Sequence, residues 1–348
     1  MGPAAEFGLA VGSSAARIWG MTGTERLHRM FRRATMTPIS AEQIPGSGSA
    51  GVLVARADWV FEERLISTLA KRRNAVLTGP DGAPLAAHVA AADAAETAQA
   101  LLEGRTPPVN PAPEKLDPET LAYDLALRKR EPPVLEPLTS DNVRQVEARL
   151  FKASYKGVTD VVTKYWWPMP ARIVTRWCAL AGISPNMVTF AGFLLVLAAF
   201  YLFWKGDFGW GLVCAWIMTF LDTVDGKLAR VTLTSSSIGN IFDHGIDLIH
   251  PPFWWWAWLV GVQAVGFTIE NPSLILWVIV GGYVAQRVEE GIFMRSFKMH
   301  MHAWRPFDSW FRLYTARRNP NLLLLTPAAM IGRPDIGIVL VAIWTAAS

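Results

Sequence analysis

Cysteine is nearly absent: two in 348 residues, Cys178 and Cys214. Neither has a partner at metal-site spacing, so no disulfide framework or zinc site is expected, and packing is the expected role of both. An excess of one charge is also missing. The 33 Lys and Arg against 29 Asp and Glu leave a net +4. That balance suits anionic lipid headgroups and gives no argument for a nucleic-acid partner. The first residues lack a basic stretch followed by a long apolar core, so no cleaved signal peptide is expected. What the chain has in quantity is apolar: 51% hydrophobic residues and 16 Trp, many near the ends of apolar runs. Such placement is that of the aromatic belts of membrane proteins. The first ~180 residues are charge-rich, and the remainder is largely apolar.

Between Asp222 and Asp247 the chain reads DTVDGKLARVTLTSSSIGNIFDHGID. Asp222 with Asp225, and Asp243 with Asp247, are spaced to share a helix face within each pair. Apolar runs flank them on both sides, and carboxylates within a membrane are costly and functional by default. Four converging carboxylates can hold divalent cations, which points to phosphate chemistry. Solvated loop acids near a helix end are the bland alternative. They would not need the small residues Gly226, Ala229 and Gly239 as well.

The pattern D-x2-D-G-x2-A-R-x8-G-x3-D-x3-D, met at all eight fixed positions, resembles the signature of the CDP-alcohol phosphotransferase family of integral membrane enzymes. The resemblance implies two bound metal ions, Mg2+ or Mn2+, with Asp222, Asp225 and Asp243 as ligands. It gives Asp247 the role of general base, with a possible touch on the second metal. Gly226 and Ala229 would let the nucleotide approach the helix, and Arg230 would support its phosphates. Gly239 would allow the second and third spans to pack closely. ISPNMVTF (183–190) resembles the family's Pro-Asn-x-x-Thr start of the first membrane helix. There Asn186 is either a nucleotide ligand or a helix cap. No Ser, Cys or His stands at a motif position, so direct attack by the acceptor is the simplest route. His244 and His250 read as supporting or packing residues.

The expected architecture is an all-α membrane domain of six transmembrane helices with a juxtamembrane amphipathic helix, preceded by a small cytoplasmic α/β domain. Its divisions are 1–110 for the α/β domain, 111–140 for a Pro-rich linker and 141–348 for the membrane domain. Strands are expected over 51–55, 74–78 and 84–90, and helices over 58–72 and 92–104. A short helix is expected over 119–130, inside the linker. The phrases RADWVFEERLISTL and GAPLAAHVA resemble a sugar-type nucleotidyltransferase, with Asp58 matching a metal-binding position. That family's Gly-rich phosphate loop is not intact in GLAVGSSAARIWG (8–20), so this domain is expected to be inactive. Asp141 to Leu180 reads as amphipathic helix along the membrane surface, with Lys156 and Asp160 as residues that could face the site.

Apolar spans run over about 187–204, 208–225, 238–263, 273–292, 319–332 and 334–348, the fifth beginning earlier in DSWFRLYTARR. Basic residues before span one, at Lys227 and Arg230, and over 293–318 place both termini and the aspartates in the cytoplasm of a bacterial-type inner membrane. Arg287, Arg295, Arg317 and Arg318 form a candidate acceptor clamp for a phosphate, or else a positive-inside patch on lipid. The adopted reading has CDP-diacylglycerol donating to a polar alcohol or alcohol phosphate, with release of CMP. A CDP-headgroup donor such as CDP-inositol, or a bifunctional cytidylyltransferase and phosphotransferase, stays open. The resemblance also implies a homodimer.

Overall fold

The computed structural model describes residues 4–46, 50–118, 123–124 and 129–348. The chain divides into two compact units, Met1–Lys156 with Arg230–Thr234, and Gly157–Ala229 with Ser235–Ser348.

The first unit is α/β. Its elements begin β1 (Phe7–Val11), α1 (Gly23–Arg33), β2 (Thr37–Ile39), β3 (Gly51–Arg56), β4 (Trp59–Phe61) and α2 (Glu63–Leu69). They continue β5 (Ala75–Thr78), β6 (Pro84–Ala90), α3 (Ala94–Leu102) and β7 (Glu114–Leu116). Six strands lie in the order β2-β1-β3-β6-β5-β7. β1 runs parallel to β2 and β3, β6 antiparallel to β3 and β5, and β7 parallel to β5. Every residue of β3 from Val52 to Ala55 is fully buried, because alternate side chains meet separate cores. Leu53 and Ala55 join Leu27, Phe31 and Leu65; Val52 and Val54 join Leu9, Val76 and Leu101.

The three expected strands and the helix over 92–104 appear as β3, β5, β6 and α3. The helix expected over 58–72 is corrected: Trp59–Phe61 is strand, and α2 starts only at Glu63. The Pro-rich segment explains this. β10 (Leu135–Pro137), the last of three further strands, pairs antiparallel with β4, and β7 extends the main sheet. Before β10, β8 (Tyr123–Asp124) pairs antiparallel with β9 (Lys129–Arg130). The helix expected over 119–130 is therefore strand at those four residues; 119–122 and 125–128 lie outside the described residues. Pro113 and Pro118 flank β7 and Pro137 ends β10, where proline disfavours helix and leaves extended backbone for edge strands.

The expected linker thus belongs to the first unit, and the boundary moves to Lys156. α4 (Val143–Ala153) closes that unit. Glu147 Oε1 accepts from the Trp19 amide at 2.8 Å, and the Trp19 and Phe151 rings lie 6.2 Å apart. The continuous surface helix expected from Asp141 to Leu180 is accordingly broken. Exposed apolar side chains lie in its later part, at Tyr165 and Trp166 and, on α5 (Pro168–Leu180), at Met169, Ile173 and Trp177. Asp160 accepts from the Val162 and Thr163 amides at 3.1 and 3.0 Å and from Asn319 Nδ2, next to Arg318, at 3.0 Å.

His88, fully buried on β6, supplies a pH test. Its Nδ1 lies 3.2 Å from the Leu69 carbonyl, which can only accept, so Nδ1 carries the proton of the neutral ring. Nε2 faces Gly51 with no partner. Burial pulls the pKa below the ordinary 6.5. The unfolded chain then binds more protons as pH falls below about 6.5, so stability is full above that value and declines below it. Opening free energies of β3 and β6 amides, from hydrogen exchange corrected for intrinsic rates, should fall between pH 7 and 5. The fall should flatten in His88→Gln.

The second unit is helical: α5, α6 (Pro185–Lys205), α7 (Phe208–Val231), α8 (Ser237–Ala264), α9 (Pro272–Phe297), α10 (Pro306–Phe311), α11 (Arg318–Met330) and α12 (Pro334–Ala347). Ser184 caps α6 by accepting from the Met187 amide, and Gly206 ends it at φ +79°. The six apolar runs map onto α6, α7, α8, α9, α11 and α12. The fifth does not start early: α10 is a separate turn, and Arg317 is extended at φ −130°, ψ 177°. Among the described residues α6 alone is long and apolar enough to cross a membrane; α12 is apolar but has 14 residues, about 21 Å.

The tryptophans are not all at helix ends. Trp254, Trp255 and Trp258 are buried in the middle of α8. Trp254 Nε1 donates to the Val196 carbonyl and Trp258 Nε1 to the Pro334 carbonyl, both at 3.0 Å. Gly261 lets α8 approach the end of α6: a Cβ there would strike the Phe203 carbonyl and lie 3.0 Å from the Gly206 nitrogen. Neither obstacle is a flexible side chain. Gly261→Ala should cost ~1–3 kcal/mol and lower the unfolding midpoint of detergent-solubilised protein.

Candidate active site

α7 carries Asp222 and Asp225 three residues apart; α8 carries Asp243 and Asp247 four apart. One ligand oxygen each from Asp222, Asp225 and Asp243 lies within 4.8 Å of the others. Asp225 is 3% exposed. Its Oδ2 accepts from the Thr189 hydroxyl of α6 at 2.5 Å, and its Oδ1 is buried without a partner. An orphan carboxylate oxygen beside two further carboxylates is costly unless a cation meets it. The all-oxygen donor set fits Mg2+ or Mn2+.

Arg318, at the start of α11, bridges the two helices. Its Nη2 donates to Asp222 Oδ2 at 2.6 Å and its Nη1 to Asp247 Oδ1 at 2.5 Å. Asp247 is thus joined to the group through a guanidinium, and its side chain is 39% exposed against 21% for Asp222. The structure separates the four arginines read as an acceptor clamp. Arg318 lies on the aspartates. Arg287 and Arg317 both bind Glu290, which also meets His302 Nε2 at 2.9 Å. Arg295 is exposed on α9. Arg287 Nε and Nη2, Arg317 Nε, and both polar atoms of Gln286 are buried without partners.

The remaining sequence-assigned residues divide as follows. Gly226 and Ala229 follow Asp222 and Asp225 on α7 and are half-buried. Arg230 lies in the last turn of α7 and is grouped with the first compact unit. Gly239 serves the first and third spans, not the second and third: a Cβ there would lie 2.6 Å from Asn186 Oδ1 of α6. Asn186 is not the cap of α6, since Ser184 is. His250 packs on Trp254 at 4.6 Å, and exposed His244 lies 3.7 Å from Asp243. Beside these, an apolar groove of about 550 Å³ runs between α6 and α8, lined by Phe193, Leu197, Phe242, Ile246 and Phe253 among others.

Two residues were missed. Thr189 is the last position of the Pro-Asn-x-x-Thr start, so its signal was present and its role as partner of Asp225 was not. Glu290 gathers Arg287, three residues earlier on α9, with His302 and Arg317 from later segments; the spacing to Arg287 was a local signal, and the other two partners had none.

Carboxylates from two consecutive helices, tied by an arginine of a later one, define a helical-bundle site suited to a phosphate-bearing ligand. Residues 182–343 match the family model for CDP-alcohol phosphatidyltransferase. It is similar to ethanolaminephosphotransferase 1 of Homo sapiens, 30% identical over 149 residues, which are 36% of this chain and 35% of the relative. Cholinephosphotransferase 1 of Xenopus laevis is 32% identical over 132 residues, covering 33% and 30%. Archaetidylinositol phosphate synthase of Pyrococcus horikoshii is 27% identical over 179 residues, covering 50% and 84%. The chain spans about a third of the length of the first two.

Proposed function

We propose that the helical unit transfers a phospho-alcohol group from a CDP-linked donor to an acceptor hydroxyl, releasing CMP, in membrane phospholipid synthesis. The observation that carries this reading is the meeting of Asp222, Asp225 and Asp243 within 4.8 Å around a buried, unpartnered Asp225 oxygen. Those residues would hold Mg2+ or Mn2+, two ions on the family pattern, which neutralise the pyrophosphate and stabilise departing CMP. In the transfer the acceptor oxygen forms a bond to the donor's alcohol-linked phosphorus. The bond from that phosphorus to the bridging oxygen of CMP breaks, and CMP leaves with the electron pair. The hydroxyl proton passes to Asp247, the more exposed of the two carboxylates bound to Arg318. Arg318 fixes that carboxylate's orientation.

Two features support CDP-diacylglycerol as donor and a phosphate-bearing alcohol as acceptor. The apolar groove includes Phe242 and Ile246, each one residue from a catalytic aspartate on α8, so an acyl chain there would lead to the carboxylates. Arg287 and Arg317 keep buried donors without partners, which suits a phosphate. The name of the Pyrococcus relative, of which this chain spans 84%, favours the same side; those of the choline and ethanolamine relatives favour a CDP-headgroup donor with a lipid acceptor. CMP release by purified protein in nanodiscs decides between them. Release from CDP-diacylglycerol only with alcohol phosphates supports the adopted reading. Release from CDP-ethanolamine or CDP-inositol only with a lipid acceptor reverses donor and acceptor, and release from neither refutes the activity. The helices α6, α7, α8, α9, α11 and α12 are taken as the spans, with the aspartates and both termini cytoplasmic.

The first unit is proposed to be inactive as a nucleotidyltransferase. Arg56 forms a bidentate pair with Asp58 at 3.0 and 2.6 Å, placing a guanidinium where a metal would have to bind. In the loop after β1, Ser14 is bound to the Leu138 carbonyl and Arg17 to the Gly20 carbonyl, which leaves them unsuited to cradling phosphate.

A further inference from the structure

α8 contains two consecutive prolines, Pro251 and Pro252. Proline has no N–H, so the carbonyls four residues earlier lose their helical donors. Those carbonyls belong to Asp247 and Leu248. The helix is therefore unsupported at the residue assigned as general base. The missing donor comes from a neighbouring helix: the Tyr283 hydroxyl of α9 donates to the Leu248 carbonyl at 2.9 Å and lies 3.4 Å from that of Asp247. One residue upstream, the Ile246 carbonyl is met by His250 Nδ1 at 2.6 Å.

The geometry points to Tyr283 as a positioning residue for Asp247, its hydroxyl standing in for the amide that Pro252 lacks. This rests on the transfer reading above. Without the hydroxyl, the Leu248 carbonyl either stays unsatisfied or turns to find another donor, and the adjacent Asp247 turns with it. The aspartate's carboxylate is held by the guanidinium of Arg318, with no backbone amide among its partners in the described residues. Backbone placement therefore decides whether it reaches an acceptor hydroxyl. Tyr283 also links this point to the basic cluster, because the Arg287 guanidinium lies 5.6 Å from its ring centroid and Arg287 binds Glu290. Phenylalanine keeps that ring and removes only the hydroxyl.

The test is a cycle of Tyr283→Phe and Pro252→Ala in the full chain, read by CMP release. Tyr283→Phe should lower kcat roughly ten- to hundredfold, as small misplacements of catalytic groups do, with the donor KM and the Mn2+ requirement unchanged. Pro252→Ala restores an amide to the Leu248 carbonyl, so in that background Tyr283→Phe should cost less than about threefold. A Tyr283→Phe protein within twofold of wild type overturns the proposal, as does an equal loss with and without Pro252→Ala. If wild type releases no CMP from any donor, the transfer reading fails separately. The coupling is then read in unfolding midpoints: Tyr283→Phe lowers the midpoint beside Pro252 and leaves it unchanged beside Pro252→Ala, and equal shifts in both overturn it.

Discussion

Asp225→Asn is expected to abolish CMP release, by ~10³-fold or more, the scale reached when a group opposing transition-state charge is removed. Asp225 is the most enclosed of the carboxylates, 3% exposed, with one oxygen held by Thr189 and the other unpartnered. An amide keeps the shape and the Thr189 contact but loses the charge that a divalent ion requires. The protein should therefore remain folded, and the loss should appear with all donors alike. Thr189→Val is the companion. It leaves the carboxylate and removes its only hydrogen-bond donor among the described residues. Outer partners of metal ligands are worth about 10–100-fold in metal affinity. Thr189→Val should thus raise the Mn2+ concentration for half-maximal release by that factor, with the maximal rate largely recovered at saturating metal. A Thr189→Val protein that keeps wild-type metal dependence would show that Asp225 is not a ligand.

The helices of the second unit were legible because their signals are local. Ser184-Pro185 and Gly206 mark the ends of α6, and each apolar run is bounded by Pro, Gly or charge. The fixed spacing of the aspartates conveyed which side chains meet, since helix geometry turns spacing of three and four into a shared face. Long-range partners were not legible. Nothing in RLYTARRNPN distinguishes Arg317 from Arg318, yet an extended Arg317 backbone sends one to Glu290 and the other to Asp222 and Asp247. The Pro-rich segment misled for a related reason. Proline predicts the absence of helix and says nothing of strands paired across 74 residues, as β10 and β4 are at Leu135 and Phe61. In α8, Pro251 and Pro252 were visible in the sequence. Their effect was not, because it depends on a tyrosine in the next helix.

The separation of the two arginines gives the sharpest contrast in the site. Arg318→Ala leaves Asp222 and Asp247 facing each other with no guanidinium between them. Truncating one partner of a buried, hydrogen-bonded charge pair costs ~2–5 kcal/mol, here expected as a fall in kcat of roughly thirty- to several-thousandfold. Arg318→Lys should recover little of it. An ammonium is a compact charge and cannot hold two carboxylates in the planar fork that spans Asp222 Oδ2 and Asp247 Oδ1 at 2.6 and 2.5 Å. Arg287→Ala and Arg317→Ala touch a different group of residues, gathered on Glu290. If that cluster binds the acceptor's phosphate, these variants raise the acceptor KM about tenfold or more and leave the donor KM unchanged. The same pair assayed with a neutral alcohol should show no such rise, since an acceptor without phosphate has nothing to lose there. A rise in donor KM instead would move the basic cluster to the nucleotide side and leave the acceptor to the groove between α6 and α8.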